Sequence, residues 1–421
     1  MSVNFPSSSV GGEVNDYEYG RVNGEEIRGE EEGPSLEKLQ ERFVAITQGS
    51  TKCSTAAVVE SHRVFQTSSK GVSKSSQFFI GSVTKHMTAY ILLAVLHEKY
   101  PRTPLDELLH QKLDSLFPHS LLLKAIDKGW VSEVTLLDLL THRSGLTDYL
   151  DLYYTNYQIL KLLEAAKCED YPAKINELIE GVSNTELLYK IQGSAPTYDR
   201  FIALLRSGEY DSYIDKAKEL NGPVDPAVLF RSIKYSHEKR YSYSNSGYLL
   251  IAKLIEEAAG KPFDVLFQEK IAIPANMTLS CAPTAGNYHD HQKTRSLTSN
   301  SGLLGKEEIF TDMANAVGAG NVISTGDDLM KWGAYFFKSA PKVIVDAILR
   351  NYGVDPDDDI INLGLATSQT DHLGELTGHQ GGIDSFSSFF GYAPQTDILI
   401  IILSNDHDDA NALMESLTFS I

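Results

Sequence analysis

Apolar residues along this chain recur at two spacings, and the switches between them predict most of its elements. Leu36, Leu39, Phe43 and Ile46 follow Pro34 and Ser35 at helical spacing, and the β-branched run 55–65 behind them reads as a strand or hairpin. Phe78, Phe79 and Ile80 run into Gly81 and Ser82, after which Val83, Met87, Tyr90, Ile91, Ala94 and Val95 return at helical spacing until Pro101 ends the pattern. A further helix is predicted over 134–140. Residues 157–220 are almost wholly helical in pattern, in amphipathic pieces such as YQILKLLEAAKC and TYDRFIALLRSG. From Phe310 onward helical turns alternate with short apolar runs. The ending predicts an antiparallel hairpin, 386–392 and 398–403 about a turn at Pro394 and Asp397, with a last helix after Asp408. No internal repeat is present.

Composition changes this picture at the ends and at the surface. Residues 1–33 combine Ser, Gly and Asn with Glu25, Glu26, Glu30, Glu31 and Glu32 and carry few large apolar side chains, so a disordered acidic tail is expected there. Residues 34–421 are expected to form one domain, with a helical lobe over about 100–275 that includes an insertion at about 150–235. A chain of 421 residues, 42% hydrophobic, is long enough to bury a large core. Its net charge of -19 argues against the broad basic surface that nucleic-acid or anionic-membrane binding requires. The longest apolar runs, at 90–96 and 398–403, fall well short of the roughly 20 residues that span a bilayer, so no membrane insertion is expected. The first residues lack the basic and apolar regions of a secretory signal, which points to the cytoplasm or to signal-independent secretion. Cys53, Cys168 and Cys281 lie far apart and match neither a disulfide framework nor a metal or redox motif.

The candidate chemistry lies in three short stretches. Ser82 and Lys85 stand at i and i+3, on one face of a helix, with Ser82 near its positive N-terminus. A lysine serves as a base there only if burial lowers its pKa, and Phe78, Phe79, Ile80 and Met87 can supply that burial. The same spacing recurs at Ser35 and Lys38, Ser236 and Lys239, and Ser339 and Lys342, where it equally describes a capping serine and a solvated lysine. Only Ser82 combines an apolar strand-like run, a glycine and a long apolar helix. Tyr243 and Asn245 stand two apart where a polar loop enters an apolar helix, a pattern that Tyr154 and Asn156 repeat. His379, Gly381 and Gly382 precede the final hairpin, beside a strand edge where glycine admits a ligand to the backbone. His289-Asp290-His291 and Asp406-His407-Asp408-Asp409 have no recognised ligand spacing and read as solvated loops, and Trp130 and Trp332 read as packing residues.

Taken in order, the SxxK, YxN and HxG stretches resemble the active-site triplet of the serine β-lactamase and penicillin-binding protein superfamily, and its class C, DD-peptidase and esterase branch in particular. LLTHRSGL at 139–146, STGDDL at 324–329 and HQGGIDSFSSFFGYAP at 379–394 resemble further elements of that branch. The resemblance implies an α+β, β-lactamase/transpeptidase-like fold: an antiparallel sheet flanked by helices, made from both chain ends, with an enlarged helical lobe inserted. It implies that Ser82 is acylated, that Lys85 and Tyr243 move its proton, and that Asn245 orients Lys85 and the substrate amide. The amides of Ser82 and Gly382 would bind the oxyanion. His379 and Gly381 would line the substrate cleft, and neither a cofactor nor a metal is implied. The chain is expected to hydrolyse carboxylesters, small amides or D-amino-acid peptides. Behind this stand a β-lactamase or DD-carboxypeptidase activity, and a non-catalytic scaffold that binds a protein partner at its helical insertion. No GxSxG elbow exists, which removes the α/β-hydrolase alternative.

Several departures qualify the resemblance, among them Gln380 where a small residue is common between the His and the Gly, and the lack of the export signal expected of relatives that act on cell-wall peptides. The interval between Leu146 and Tyr243 is long, and an enlarged lid over 152–220 is expected. Asn321 stands where a second glycine is usual, a position that a left-handed Asn would satisfy. His379 stands where many relatives carry a lysine; with an ordinary imidazole pKa of about 6.5 it would bind carboxylates weakly at neutral pH.

Overall fold

The computed structural model describes residues 54–60, 63–69, 75–149, 225–286, 312–370, 373–383 and 386–405, together with Glu41, Val44, Val72 and Ser73. All belong to the unit Pro34–Ile421. The acidic tail over 1–33, the lid over 152–220, the two His/Asp-rich stretches and the last helix lie outside the described residues. So do Cys53 and Cys168, whereas Cys281 is buried.

The main sheet has seven strands in the order β2-β1-β9-β8-β7-β6-β5, every neighbour antiparallel. The hairpin β1 (Ser54–Glu60) and β2 (Arg63–Ser68) comes from the early chain. The late chain supplies β5 (Ile360–Ile361), β6 (Ala366–Thr370), β7 (Gly374–Ile383), β8 (Phe386–Ala393) and β9 (Ile398–Ser404). β1 pairs with β9, so strands distant in sequence close one sheet, as the β-lactamase/transpeptidase-like reading requires. β9, ILIIILS, is buried throughout, which is why it reads as a continuous apolar run rather than an alternating one. Asp397 turns the predicted β8–β9 hairpin with φ of 52°.

Four helices position the site: α1 (Thr84–Lys99), α2 (Leu136–Leu140), α3 (Asn245–Ala259) and α4 (Gly326–Lys338). α1 is buried on every side from Thr84 to Leu96, not on the single face its spacing predicts. A helix buried all round belongs to a core, and α1 packs against α3 and, through His86 and Tyr90, against Trp332 and Phe336 of α4. α2 begins with a capping box in which the Thr135 hydroxyl accepts from the Asp138 amide and the Asp138 carboxylate accepts from the Thr135 amide. α3 packs closely on α2: the Tyr248 hydroxyl donates to the Leu140 carbonyl at 2.8 Å.

A small second sheet pairs β3 (Phe78–Phe79) with β4 (Ile323–Ser324). Phe386 at the start of β8 packs edge-on against both Phe78 and Phe79, at 6.3 and 5.8 Å between ring centres. This aromatic contact ties the end of the main sheet to the segment that enters α1. Trp130 and Trp332 are buried packing residues, as expected. Trp332 also donates its indole N–H to Nε2 of buried His86 at 2.7 Å.

Candidate active site

Ser82 occupies a 3-10 turn, Gly81–Val83, that leads directly into α1. The turn depends on Gly81, whose φ of 47° is left-handed, and on the space that a missing side chain leaves. A β-carbon on Gly81 would stand 2.7 Å from the Gly382 amide nitrogen, so that amide lies beside Ser82. Gly381 is required for a second reason: its β-carbon would meet the Ile80 carbonyl oxygen at 2.1 Å. The Ser388 hydroxyl donates to the same carbonyl at 2.8 Å and pins β8 there as well. The β6 ladder stops at Gly378, which leaves residues 379–383 paired on one side with β8 and on the other packed against the Ser82 turn. The strand edge expected at His379 to Gly382 is thus made inside the sheet, by the short length of β6.

Lys85 is the second residue of α1, fully buried, and donates three hydrogen bonds: to Ser82 Oγ at 2.8 Å, Asn245 Oδ1 at 2.7 Å and the Ala319 carbonyl at 2.9 Å. These three acceptors match the three protons of an ammonium group. Loss of the Ser82-facing proton leaves a lone pair on Nζ directed at the serine while the other two bonds persist. Burial lowers the Lys85 pKa from 10.5 to about 7, against the opposing pull of the Asp148 carboxylate. The expected perturbation of this lysine is therefore present, and its source is desolvation.

Tyr243 donates its hydroxyl to Ser82 Oγ at 2.7 Å, so the serine oxygen lies between amine and phenol. Its phenol pKa is raised above the ordinary range by burial, in spite of the Ser82 hydrogen bond, which acts the other way. The residue as a whole is 37% exposed, while the hydroxyl reaches inward to Ser82.

Two residues not singled out individually from sequence hold this arrangement. His142 has φ of 58° and stacks on the Tyr243 ring at 4.4 Å between centres. Its carbonyl accepts from the Ser242 amide at 2.8 Å and its Nδ1 from the Ser244 amide at 3.1 Å, so it brackets Tyr243 on both sides. Burial keeps this imidazole neutral, far below its ordinary pKa. Asp148 Oδ2 accepts from Asn245 Nδ2 at 2.7 Å. Their signal in the sequence was the 139–146 stretch itself, whose His142 lies inside it and whose Asp148 follows two residues later.

Asn321 corrects an expectation. It is not left-handed; Gly318, three residues earlier, carries φ of 74°. Asn321 Oδ1 accepts from the Gly318 amide at 2.9 Å and Nδ2 donates to the Pro283 carbonyl at 2.8 Å. The side chain thereby shapes the loop that presents the Ala319 carbonyl to Lys85. His379 corrects another. Desolvation, together with the nearby Lys85 cation, lowers its pKa to about 4 instead of leaving it near 6.5. Its Nδ1–H donates to the Gln380 carbonyl, and the ring stands 6.1 Å from that of Tyr243. Lys38 lies outside the described residues, Lys239 pairs with Asp138, and Lys342 pairs with Asp346, so neither described rival SxxK lysine is aimed at its serine.

The antiparallel sheet with an inserted helical region, and a serine, lysine, tyrosine and asparagine converging at its edge, define a β-lactamase/transpeptidase-like protein. The family model described as Beta-lactamase matches residues 37–203 and 214–416, and the chain belongs to that family. Among solved structures, a D-stereospecific amidohydrolase from Streptomyces sp. is similar with a TM-score of 0.59 at 17% identity, covering 91% of this chain and 98% of that one. D-amino acid amidase from Ochrobactrum anthropi SV3 gives 0.58 at 16% identity, over 90% and 97%. An unguisins hydrolase of Aspergillus campestris is 23% identical over 83% of this chain and 56% of its own length. The putative penicillin-binding protein PbpX of Bacillus subtilis is 23% identical over 46% and 48%. The chain thus matches about half the length of these two curated relatives. No described helix is long and apolar enough to cross a membrane.

Proposed function

We propose that this protein is a serine hydrolase that forms an acyl-enzyme on Ser82 and acts on neutral carboxylesters or small amides, D-amino-acid amides and peptides among them. The observation that carries this is the position of Ser82 Oγ, 2.8 Å from a lysine whose pKa is near 7 and 2.7 Å from a tyrosine hydroxyl. At neutral pH a substantial share of Lys85 is the free amine, whereas Tyr243 remains a phenol. Lys85 is accordingly the base and Tyr243 the donor. Ser82 gives its proton to Lys85 Nζ as its oxygen bonds to the substrate carbonyl carbon. The resulting oxyanion lies toward the amides of Ser82 and Gly382. Tyr243 protonates the leaving alcohol or amine and recovers a proton from the Lys85 ammonium. Water then enters by the reverse sequence and releases the acid.

The substrate class rests on His379 and on the amidohydrolase and amidase names of the similar structures. A neutral imidazole whose N–H is committed to Gln380 offers no cation to a substrate carboxylate. This ranks neutral esters and amides above β-lactams and carboxylate-terminated peptides. A fluorophosphonate probe followed by mass mapping tests the proposal. The adduct is expected on Ser82, and Ser82→Ala is expected to lose both labelling and turnover with an unchanged thermal transition. An adduct on another serine, or turnover retained by Ser82→Ala, would overturn it.

A further inference from the structure

Of the three acceptors that hold Lys85, the Asn245 amide is the one in which an oxygen and a nitrogen can exchange places. An amide turned by 180° would present an N–H to the lysine and break the set. Asp148 prevents this. A carboxylate accepts and does not donate, so the 2.7 Å contact with Asp148 Oδ2 requires that Asn245 direct Nδ2 at Asp148 and Oδ1 at Lys85. Asp148 is itself held in register by the residue next to Asn245. The Ser246 hydroxyl donates to the Thr147 carbonyl at 2.8 Å and accepts from the Tyr149 amide at 2.9 Å, clamping the chain on both sides of Asp148. Buried Tyr149 anchors the far end.

The charged and titratable groups that face Lys85 come from four elements. His142 lies just beyond α2, and Asp148 lies on the loop that follows. Tyr243 and Tyr248 lie at the entry and first turn of α3, with ring centres 4.9 and 5.5 Å from Nζ, and His379 lies on β7. Both histidines are neutral at pH 7 and both tyrosines are phenols. Asp148 is therefore the anion among these described groups.

We propose that Asp148 is a positioning residue of the acyl-transfer centre: its carboxylate fixes the Asn245 amide that aims Lys85 at Ser82, and it is the counter-charge of the Lys85 ammonium. This rests on the acyl-transfer reading above. An opposite charge favours the protonated amine, so removing it makes Lys85 a weaker base that loses its proton at lower pH.

The test is the rate of Ser82 labelling by a neutral fluorophosphonate as a function of pH, on the full chain, in wild type, Asp148→Asn and Asp148→Glu. Wild type is expected to lose reactivity as pH falls through about 7. Asp148→Asn keeps an acceptor for Asn245 and removes the charge. Its acid limb is expected about one pH unit lower, with a plateau lowered several-fold. Asp148→Glu keeps the charge and displaces the carboxylate, so its limb stays with wild type while its plateau falls. An acid limb of Asp148→Asn that superimposes on wild type would overturn the counter-charge. If Asp148→Asn does not fold, Asp148→Glu decides, since a limb that moves in spite of the retained charge overturns the proposal. Wild-type protein that is never labelled on Ser82 overturns the acyl-transfer reading instead, and the two failures are told apart by that control.

Discussion

His379 carries, at the scale of one side chain, the proposed selectivity against charged substrates. Burial and the neighbouring Lys85 ammonium both oppose its protonation, which is moved from about 6.5 to about 4. Selectivity for a carboxylate-bearing ester over its neutral counterpart should consequently be flat from pH 8 to about 5 and rise only as pH approaches 4. His379→Lys should raise that ratio across the neutral range, roughly 10-fold if the new cation pairs with the carboxylate at ~1.4 kcal/mol. The ratio of kcat/KM values for the two esters against pH measures this, and a rise centred near 6.5 in wild type would show the imidazole to be unperturbed. At this scale Ser82, Lys85, Tyr243 and Asn245 were legible because their types and order matched a known triplet. His142 and Asp148 were not. The role of His142 depends on a left-handed backbone and a ring stack with Tyr243, about a hundred residues away. Asp148 is one of 56 acidic residues, and no spacing marks the one that meets Asn245.

Among the elements, β7 and the Ser82 turn are held at a distance that only glycine permits. Gly381→Ala places a methyl group against the Ile80 carbonyl and the Ser388 hydroxyl, and rigid main chain cannot yield by that much. β7 must move outward and carry the Gly382 amide with it. The expected result is a fall in kcat of roughly 100- to 1000-fold, the usual cost of losing one oxyanion donor, with KM changed far less. Steady-state kinetics on an activated ester checks this; activity within a few-fold of wild type would mean that the Gly382 amide is not part of the oxyanion site. The hairpins β1–β2 and β8–β9 were legible as elements because short apolar runs end at turns, and α1 because its spacing is helical. That α1 is buried all round was hidden by the same spacing, since a period reports one face and not what packs on the others. The register that brings Gly382 to Gly81 was hidden for a related reason: β6 stops at Gly378, and no local pattern states where a neighbouring strand will end.

For the molecule as a whole, the same burial that prepares the site makes stability depend on pH. His86 and His142 are 0% and 7% exposed, and burial holds both neutral, His86 with a pKa of about 3 and His142 well below its ordinary value. The unfolded chain protonates these imidazoles near 6.5, so below that pH it binds more protons than the folded chain. Their contribution is therefore fully present above 6.5 and is lost as pH falls toward the folded-state values. Each excluded proton counts about 1.4 kcal/mol per pH unit at the acid end, so His86 alone lowers stability by about 2 kcal/mol between pH 6.5 and pH 5, and His142 acts in the same direction. That is a large share of the roughly 5–15 kcal/mol by which domains are ordinarily stable. Lys85 acts in the same direction at higher pH: its folded pKa of about 7 lies below its unfolded value of 10.5, so stability continues to rise with pH across that interval. His86→Gln isolates one histidine, because a glutamine carbonyl can still accept the Trp332 indole proton that His86 Nε2 now receives. Urea unfolding free energies at pH 7.5, 6.5, 5.5 and 5.0 should fall less steeply for the variant, by about 1.4 kcal/mol per pH unit at the acid end. Parallel slopes for the two proteins would mean that His86 takes up its proton within the fold, and that the packing around α1 opens to water at mildly acid pH.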